Sequence, residues 1–154
     1  MFEAVLSNAA LASSIYVNIA LAGLTIIVIA VMSRSIHDSR AKLITMSTLM
    51  ISVVSISSYM GLASGLTIDP LVMPEGHPLA GQEVLSLWGR YLTWAFSTPF
   101  ILLALGLLAR STTDKIFSAI VLDVFMCLTG LAAALTTSSY AMRWLWYALS
   151  TAFF

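Results

Sequence analysis

The chain has 154 residues, of which 60% are apolar and 9% charged, where soluble domains average about 45–50% and 25%. Fourteen formal charges cannot coat a water-soluble globule of this size, and the balance is the reverse of the one that leaves a chain disordered. Seven basic residues cancel seven acidic ones, which gives nucleic acid no electrostatic attraction, and the single Cys127 excludes an internal disulfide framework, so a polytopic all-α membrane protein remains.

The N-terminus, Met1-Phe2-Glu3, lacks the basic region of a secretory leader. Charges then bunch, and the gaps between them are membrane-length. Leu11–Met32 has 22 uncharged residues, Leu43–Ile68 has 26 and Tyr91–Ala109 has 19. Ile116–Thr137 has 22 residues with one interruption, Asp123. Each gap meets the roughly 20 residues that cross ~30 Å of hydrocarbon at 1.5 Å per residue. A lone span satisfies its backbone in lipid only as a helix. The expected spans are 11–33, 42–67, 84–109, 115–137 and 141–154, forming a single, incomplete transmembrane domain over 1–154. The last is short: from Trp144 only 11 uncharged residues remain, about 16 Å of helix, which reads as a fifth helix cut within the bilayer.

The connections sort by charge. The first, Ser33–Lys42, carries Arg34, Arg40 and Lys42, and the third carries Arg110 and Lys115. The second, Thr67–Glu83, carries Asp69, Glu75 and Glu83 with no lysine or arginine. The positive-inside rule puts the first and third in the cytoplasm and the N-terminus and second loop outside, with Arg143 the one basic residue against the count. The second loop is rich in Pro and Gly and long enough for a short hairpin lid over the bundle mouth.

The stretch richest in chemistry is Trp88-Gly-Arg-Tyr-Leu-Thr-Trp-Ala-Phe-Ser-Thr-Pro99. On a helix Arg90, Thr93, Trp94 and Ser97 fall at i, i+3, i+4 and i+7 and share one face. A helix starting near Val84 would put Arg90 roughly 9 Å inside it, where a charge is expensive and turns to a bundle interior or water cavity. That face offers hydroxyls and an indole but no carboxylate, a setting that suits an anion. Two plainer readings stand beside it: Arg90 snorkels to the interface, or it pairs with a carboxylate on another helix. Asp123 is either a functional acid or a protonated one hydrogen-bonded to a neighbouring helix, the second being favoured. Pro99 interrupts the third span's hydrogen bonding near Ala95 or Phe96. Gly130 and Ala132–Ala134 give a small-residue surface for close helix packing or room for a flat ligand, which Trp94, Met126, Trp146 and Tyr147 would line. His37 and His77 have no metal-ligand spacing, so no metal is expected. No phosphate loop, nucleophile elbow or carboxylate pair appears.

Five segments together, 11–23, 58–67, 88–99, 102–109 and 127–138, resemble the haloarchaeal retinal proteins of the microbial rhodopsin family, and within them the light-driven chloride pumps. The resemblance runs from about Ala4 to the end. It implies a seven-helix bundle of which this chain supplies four helices and part of a fifth. It also implies an ion transporter, not an enzyme, in the archaeal plasma membrane, with retinal and chloride as its cofactor and cargo. Other halides or nitrate are further cargo candidates, and a homotrimer is the implied assembly. Proton-pumping relatives carry aspartates at the positions matching Thr93 and Ala104, which this chain lacks. The resemblance assigns chloride to Arg90, Thr93, Trp94 and Ser97, beside the protonated retinal Schiff base. It assigns the retinal pocket to Trp94, Thr98, Ile101, Met126, Thr129, Gly130, Tyr147 and Ser150, with Asp123 bonded to Thr98 and Tyr59 near the outer approach. The family's retinal-binding lysine lies on its seventh helix, and neither Lys42 nor Lys115, both loop residues, stands in for it. The family usually has a proline where Ser52 aligns, so a straighter second helix is expected. A sensory rhodopsin would carry a carboxylate at position 93, and a retinal-free helical scaffold would have no need of Arg90 and Ser97 on one face.

Overall fold

The computed structural model describes residues 9–154, so the reading of Met1–Glu3 lies outside the described residues. Five helices follow in order: α1 (Ala9–Met32), α2 (Ser39–Ala63), α3 (Gly89–Leu108), α4 (Thr113–Leu135) and α5 (Tyr140–Phe153). A 3₁₀ turn, Ser33–Ser35, follows α1, and two strands, β1 (Asp69–Val72) and β2 (Glu83–Ser86), lie between α2 and α3. Each helix packs on the next in sequence, the serial antiparallel arrangement that short connections enforce. The first four helices are long and apolar enough to cross a membrane.

Polar residues in these spans are satisfied locally. Thr25, Thr45, Ser47 and Ser55 each donate to the carbonyl four residues back, at 2.8, 2.8, 2.9 and 2.9 Å, so their hydroxyls cost the bilayer little. Outward apolar side chains such as Val31, Leu105 and Phe117 stay more than half exposed, as surfaces whose solvent is lipid or further protein.

The helix ends have identifiable stops. Asp38 caps α2 by accepting from the Ala41 N–H at 2.7 Å. α2 ends with Gly65 at φ 74°, and the Leu66 N–H reaches back to Gly61 at 3.1 Å. α3 ends the same way with Arg110 at φ 56°, and the Ser111 N–H bonds to Gly106 at 2.9 Å. A non-glycine residue there costs conformational energy that Gly65 avoids. The Arg40 guanidinium supports this end of α3, donating to the Leu107 carbonyl from Nε at 2.8 Å and also from Nη2.

The connection between α2 and α3 forms the expected hairpin, with Asp69 opposite Ser86 and Val72 opposite Glu83. Trp88 Nε1 ties it down by donating to Asp69 Oδ2 at 2.8 Å. Beneath it sits the tightest apolar cluster, Ile15, Leu62 and Ile68, with Tyr59 and Leu87 packed against it. The hairpin corrects one sequence expectation. Val84–Ser86 is strand, and α3 begins at Gly89, so Arg90 is the second residue of its helix and not 9 Å inside it.

Helix α3 runs through Pro99 without a break and meets α4 closely at Gly106. A Cβ at Gly106 would stand 2.5 Å from Cγ1 of Ile116. Gly106→Ala should therefore destabilise the protein by about 1–3 kcal/mol through overpacking. Adding Ile116→Ala should recover much of that loss in thermal unfolding measurements, because it removes the atoms in collision.

Candidate functional site

The hairpin end of the bundle holds the polar chemistry. Arg90 lies in the first turn of α3, and Thr93, Trp94 and Ser97 follow on the same face. Across from them α2 presents Ser55, Ser58, Tyr59 and Leu62. These eight residues line one cavity of about 170 Å³ between α2 and α3. At ~30 Å³ per water that is room for a monatomic ion with a few waters. Among the described residues no carboxylate lines it. Its polar atoms are hydroxyls, an indole and one guanidinium, and among the described residues the Arg90 side chain has no ion-pair or hydrogen-bond partner, its backbone N–H alone donating to Leu87.

Two interactions set the hydroxyl geometry. The Thr93 hydroxyl donates to the Gly89 carbonyl at 2.9 Å and is joined by the Ser58 hydroxyl from α2. Ser97 is buried at 6% exposure. It directs a short hydroxyl into the cavity two turns above Arg90. Hydroxyls able to turn their protons toward a negative ion, next to a delocalised cation, form a site that can hold an anion with no acid competing for it.

The structure brings Arg90, Thr93, Trp94 and Ser97 together as their spacing implied, and places Tyr59 beside them. Sequence reading missed Ser55 and Ser58. Their signal was present: Ser55, Ser58, Tyr59 and Leu62 also fall at i, i+3, i+4 and i+7, a polar stripe on a span with no other need for one.

The eight residues assigned to a retinal pocket do not share one cavity. Gly130, Tyr147 and Ser150 line a cavity of about 340 Å³ between α4 and α5, with Tyr91 and Trp144. Met126 lines another, of about 290 Å³, with Asp123 and Phe153. Trp94 is 47% exposed, Ile101 38% and Tyr147 57%, so these side chains form an uncovered apolar wall. Thr129 is buried, its hydroxyl returned to the Phe125 carbonyl at 2.6 Å. Two bonds hold this wall in register. The Thr98 hydroxyl joins Asp123 across α3 and α4, and Ser150 donates to the Met126 carbonyl at 2.8 Å across α4 and α5. Gly130 lets α4 approach closely, since a Cβ there would come within 3.2 Å of the Tyr91 ring and oblige that ring to give by a few tenths of an ångström.

These side chains present a largely apolar surface along α3, α4 and α5. Lys42 and Lys115, expected in loops, lie in the first turns of α2 and α4, exposed at the end of the bundle opposite the hairpin.

Fold and site define a multi-pass helical membrane protein with an arginine-bearing cavity in its bundle that no carboxylate of the described residues lines. A family model for bacteriorhodopsin-like proteins matches residues 9–154, and the chain belongs to that family. It is similar to halorhodopsin of Halobacterium sp. (strain SG1), 64% identical over 154 residues, covering 100% of this chain and 54% of that protein. Among solved structures it is similar to a bromide-bound form of halorhodopsin from Halobacterium salinarum. That match has 58% identity and a TM-score of 0.92, covering 98% of this chain and 62% of the other. A structure titled halorhodopsin, a light-driven chloride pump, is 58% identical with a TM-score of 0.91, covering 95% of this chain and 61% of that one. The chain spans about half the length of the curated relatives it matches.

Proposed function

We propose that the protein carrying this segment is a light-driven inward chloride pump that uses retinal. The observation that carries the reading is the cavity of Arg90, Thr93, Trp94 and Ser97, where a guanidinium meets hydroxyls and no carboxylate. Similarity to a bromide-bound halorhodopsin and to a halorhodopsin described as a chloride pump supports the same ion class. Other halides or nitrate are accepted to the extent that they fit the same hydroxyl cage.

Retinal would lie against Trp94, Thr98, Ile101, Met126, Thr129, Gly130, Tyr147 and Ser150, and when bound it supplies light absorption and a photochemical change of shape and dipole. Residues of this chain do the rest. Arg90 supplies the positive charge that makes the cavity attractive to chloride, Ser97 donates a hydrogen bond to it, and Thr93 does so by turning its one proton away from the Gly89 carbonyl. Ser58 holds Thr93 in place from α2. Asp123 braces the chromophore wall. The Thr98 hydroxyl lies between two acceptors, the Trp94 carbonyl at 2.7 Å and the Asp123 carboxyl, and so ties α3 to α4 at this point. A change in the ion's relative affinity for two chromophore states moves it, and only that difference supplies work.

The orientation follows from charge. The end with the first and third connections carries Arg34, Arg40, Lys42, Arg110 and Lys115 and faces the cytoplasm, which leaves the hairpin and the N-terminus outside the plasma membrane. A homotrimer is the assembly this reading carries. The sensory alternative is disfavoured by Thr93, which leaves no carboxylate in the cavity.

The test is a chloride titration of the retinal absorption band in the whole protein, at fixed ionic strength. Saturable displacement of the band is expected. A spectrum indifferent to chloride overturns the reading.

A further inference from the structure

At the end of the bundle away from the hairpin, three helix ends meet around one carbonyl. The Leu107 carbonyl, in the last turn of α3, accepts from the Arg40 guanidinium of α2 and, at 3.2 Å, from the Arg110 backbone N–H. One residue earlier, Gly106 lies against Ile116 in the first turn of α4, next to Lys115. Arg40, Arg110 and Lys115 therefore belong to one cluster drawn from the ends of α2, α3 and α4, and all three are exposed.

The two acids at this end do not neutralise the cluster. Asp38 is held by the Ala41 N–H as the cap of α2. Asp114 accepts from the Thr112 hydroxyl and from backbone amides of its own turn. Arg40 is engaged with Leu107, whereas among the described residues the side chains of Arg110 and Lys115 have no partner. Arg110 also occupies a backbone conformation that favours glycine. Its φ is 56°, where α2 ends on Gly65 at φ 74°. An arginine there costs conformational energy that a cap alone does not explain, which points to a use for its guanidinium.

Below the charges the surface is apolar. Leu108 is 70% exposed and Phe117 66%, each two residues nearer the middle of its span than Arg110 or Lys115. A cationic pair above uncovered apolar side chains, at the end of a membrane span, matches the two parts of an anionic lipid. Arginine offers a planar fork to two oxygens of a phosphodiester, and lysine adds a compact point charge.

We propose that Arg110 and Lys115 hold the phosphodiester headgroup of an anionic lipid, with Leu108 and Phe117 against its chains. Arg40 positions Arg110 by fixing the end of α3. The lipid in turn bridges the ends of α3 and α4 and stabilises the bundle. This inference needs only the membrane spans and stands apart from the chloride reading.

The experiment compares the whole wild-type protein with Arg110→Gly, Lys115→Gln, the double variant, and Arg34→Gln from the first connection. Native mass spectrometry with equimolar phosphatidylglycerol and phosphatidylcholine reports which lipid is retained. Thermal unfolding by circular dichroism, in phosphatidylcholine nanodiscs with and without phosphatidylglycerol, reports what the lipid stabilises.

A basic residue at an anionic surface is worth about fivefold in binding. Wild type should therefore prefer phosphatidylglycerol roughly 25-fold at one class of site, either single variant about fivefold, and the double variant hardly at all. Phosphatidylglycerol should raise the unfolding temperature of wild type and leave that of the double variant unchanged. In phosphatidylcholine alone Arg110→Gly should unfold no earlier than wild type, because glycine accepts φ 56° without strain. Its lost preference then reflects the missing guanidinium and not a damaged fold. Arg34→Gln should keep the wild-type preference.

An Arg110→Gly preference equal to wild type overturns the proposal, and that is also the result if a carboxylate outside residues 9–154 occupies Arg110. A fall in Arg34→Gln as large as that in Arg110→Gly overturns it too, since the attraction would then be the diffuse charge of this whole end. If inorganic phosphate stabilises wild type in phosphatidylcholine nanodiscs as phosphatidylglycerol does, the occupant is a soluble anion and the lipid site is refuted.

Discussion

Arg90→Gln should weaken chloride binding at the cavity between α2 and α3 by at least a hundredfold and carry uptake down with it. Glutamine keeps an amide donor of nearly the same reach but removes the charge, so the difference between the two proteins isolates the electrostatic part of the site. Removing one partner of a close charge pair leaves the remaining charge without compensation, and each factor of ten in affinity is about 1.4 kcal/mol. Here the remaining charge would be the anion itself, surrounded by Thr93, Ser97 and Trp94, none of which carries a formal positive charge. Spectral titration up to molar chloride measures the loss. A midpoint within fivefold of wild type would mean that Arg90 only snorkels to the interface and that the hydroxyls alone hold the ion. Arg90→Lys separates shape from charge: lysine keeps the charge but not the planar fork, and should fall between the two.

What the sequence made legible followed from physics that acts at short range along the chain. Membrane spans are set by the length of uncharged runs, so all five helices could be read from the spacing of 14 charges. The face shared by Arg90, Thr93, Trp94 and Ser97 is a property of a single helix, and α3 preserves it. The start of that helix was not legible. Val84-Leu-Ser-Leu87 is uncharged and apolar, and an uncharged run looks alike whether it is a strand roofing a bundle or the first turn of a span. Pairing with Asp69–Val72 settles the matter, and pairing partners are invisible in a local window. No side-chain cap marks the true start either: Trp88 provides none, and the first amides of α3 are satisfied by the backbone of Thr67, Leu87 and Trp88.

Ser55 and Ser58 show the same limit from the other side. A serine in an apolar helix ordinarily turns back on its own carbonyls, as Ser55 does at 2.9 Å to Ile51. Ser58 joins Thr93 instead, a contact made by the packing of α2 on α3. The division among separate cavities of the residues that the resemblance assigned to a retinal pocket is likewise a tertiary fact. Helices α3, α4 and α5 each present their share, and Thr98 with Asp123 and Ser150 with Met126 hold the shares in register.

The sharpest test of the site's sign is Thr93→Asp, which puts a carboxylate in the cavity that the anion is proposed to fill. Ser58 would donate to the new carboxylate as it now meets Thr93, and Arg90, in the same cavity, would neutralise it. At neutral pH the response of the absorption band to chloride should disappear, because an internal fixed anion competes with a free one at an effective concentration that no salt solution reaches. The chloride response of Thr93→Asp should therefore return as pH falls and the introduced carboxylate is protonated, while wild type responds throughout the same range. Thr93→Val is the necessary companion. It removes one hydroxyl without adding charge and should weaken binding roughly tenfold, the cost of one hydrogen bond to an ion, with no new dependence on pH. Should Thr93→Asp bind chloride at neutral pH as wild type does, position 93 lies outside the anion's shell and the cavity assigned to it is the wrong one. If both variants lose the response equally at every pH, the loss reflects packing between α2 and α3, and charge has no part in it.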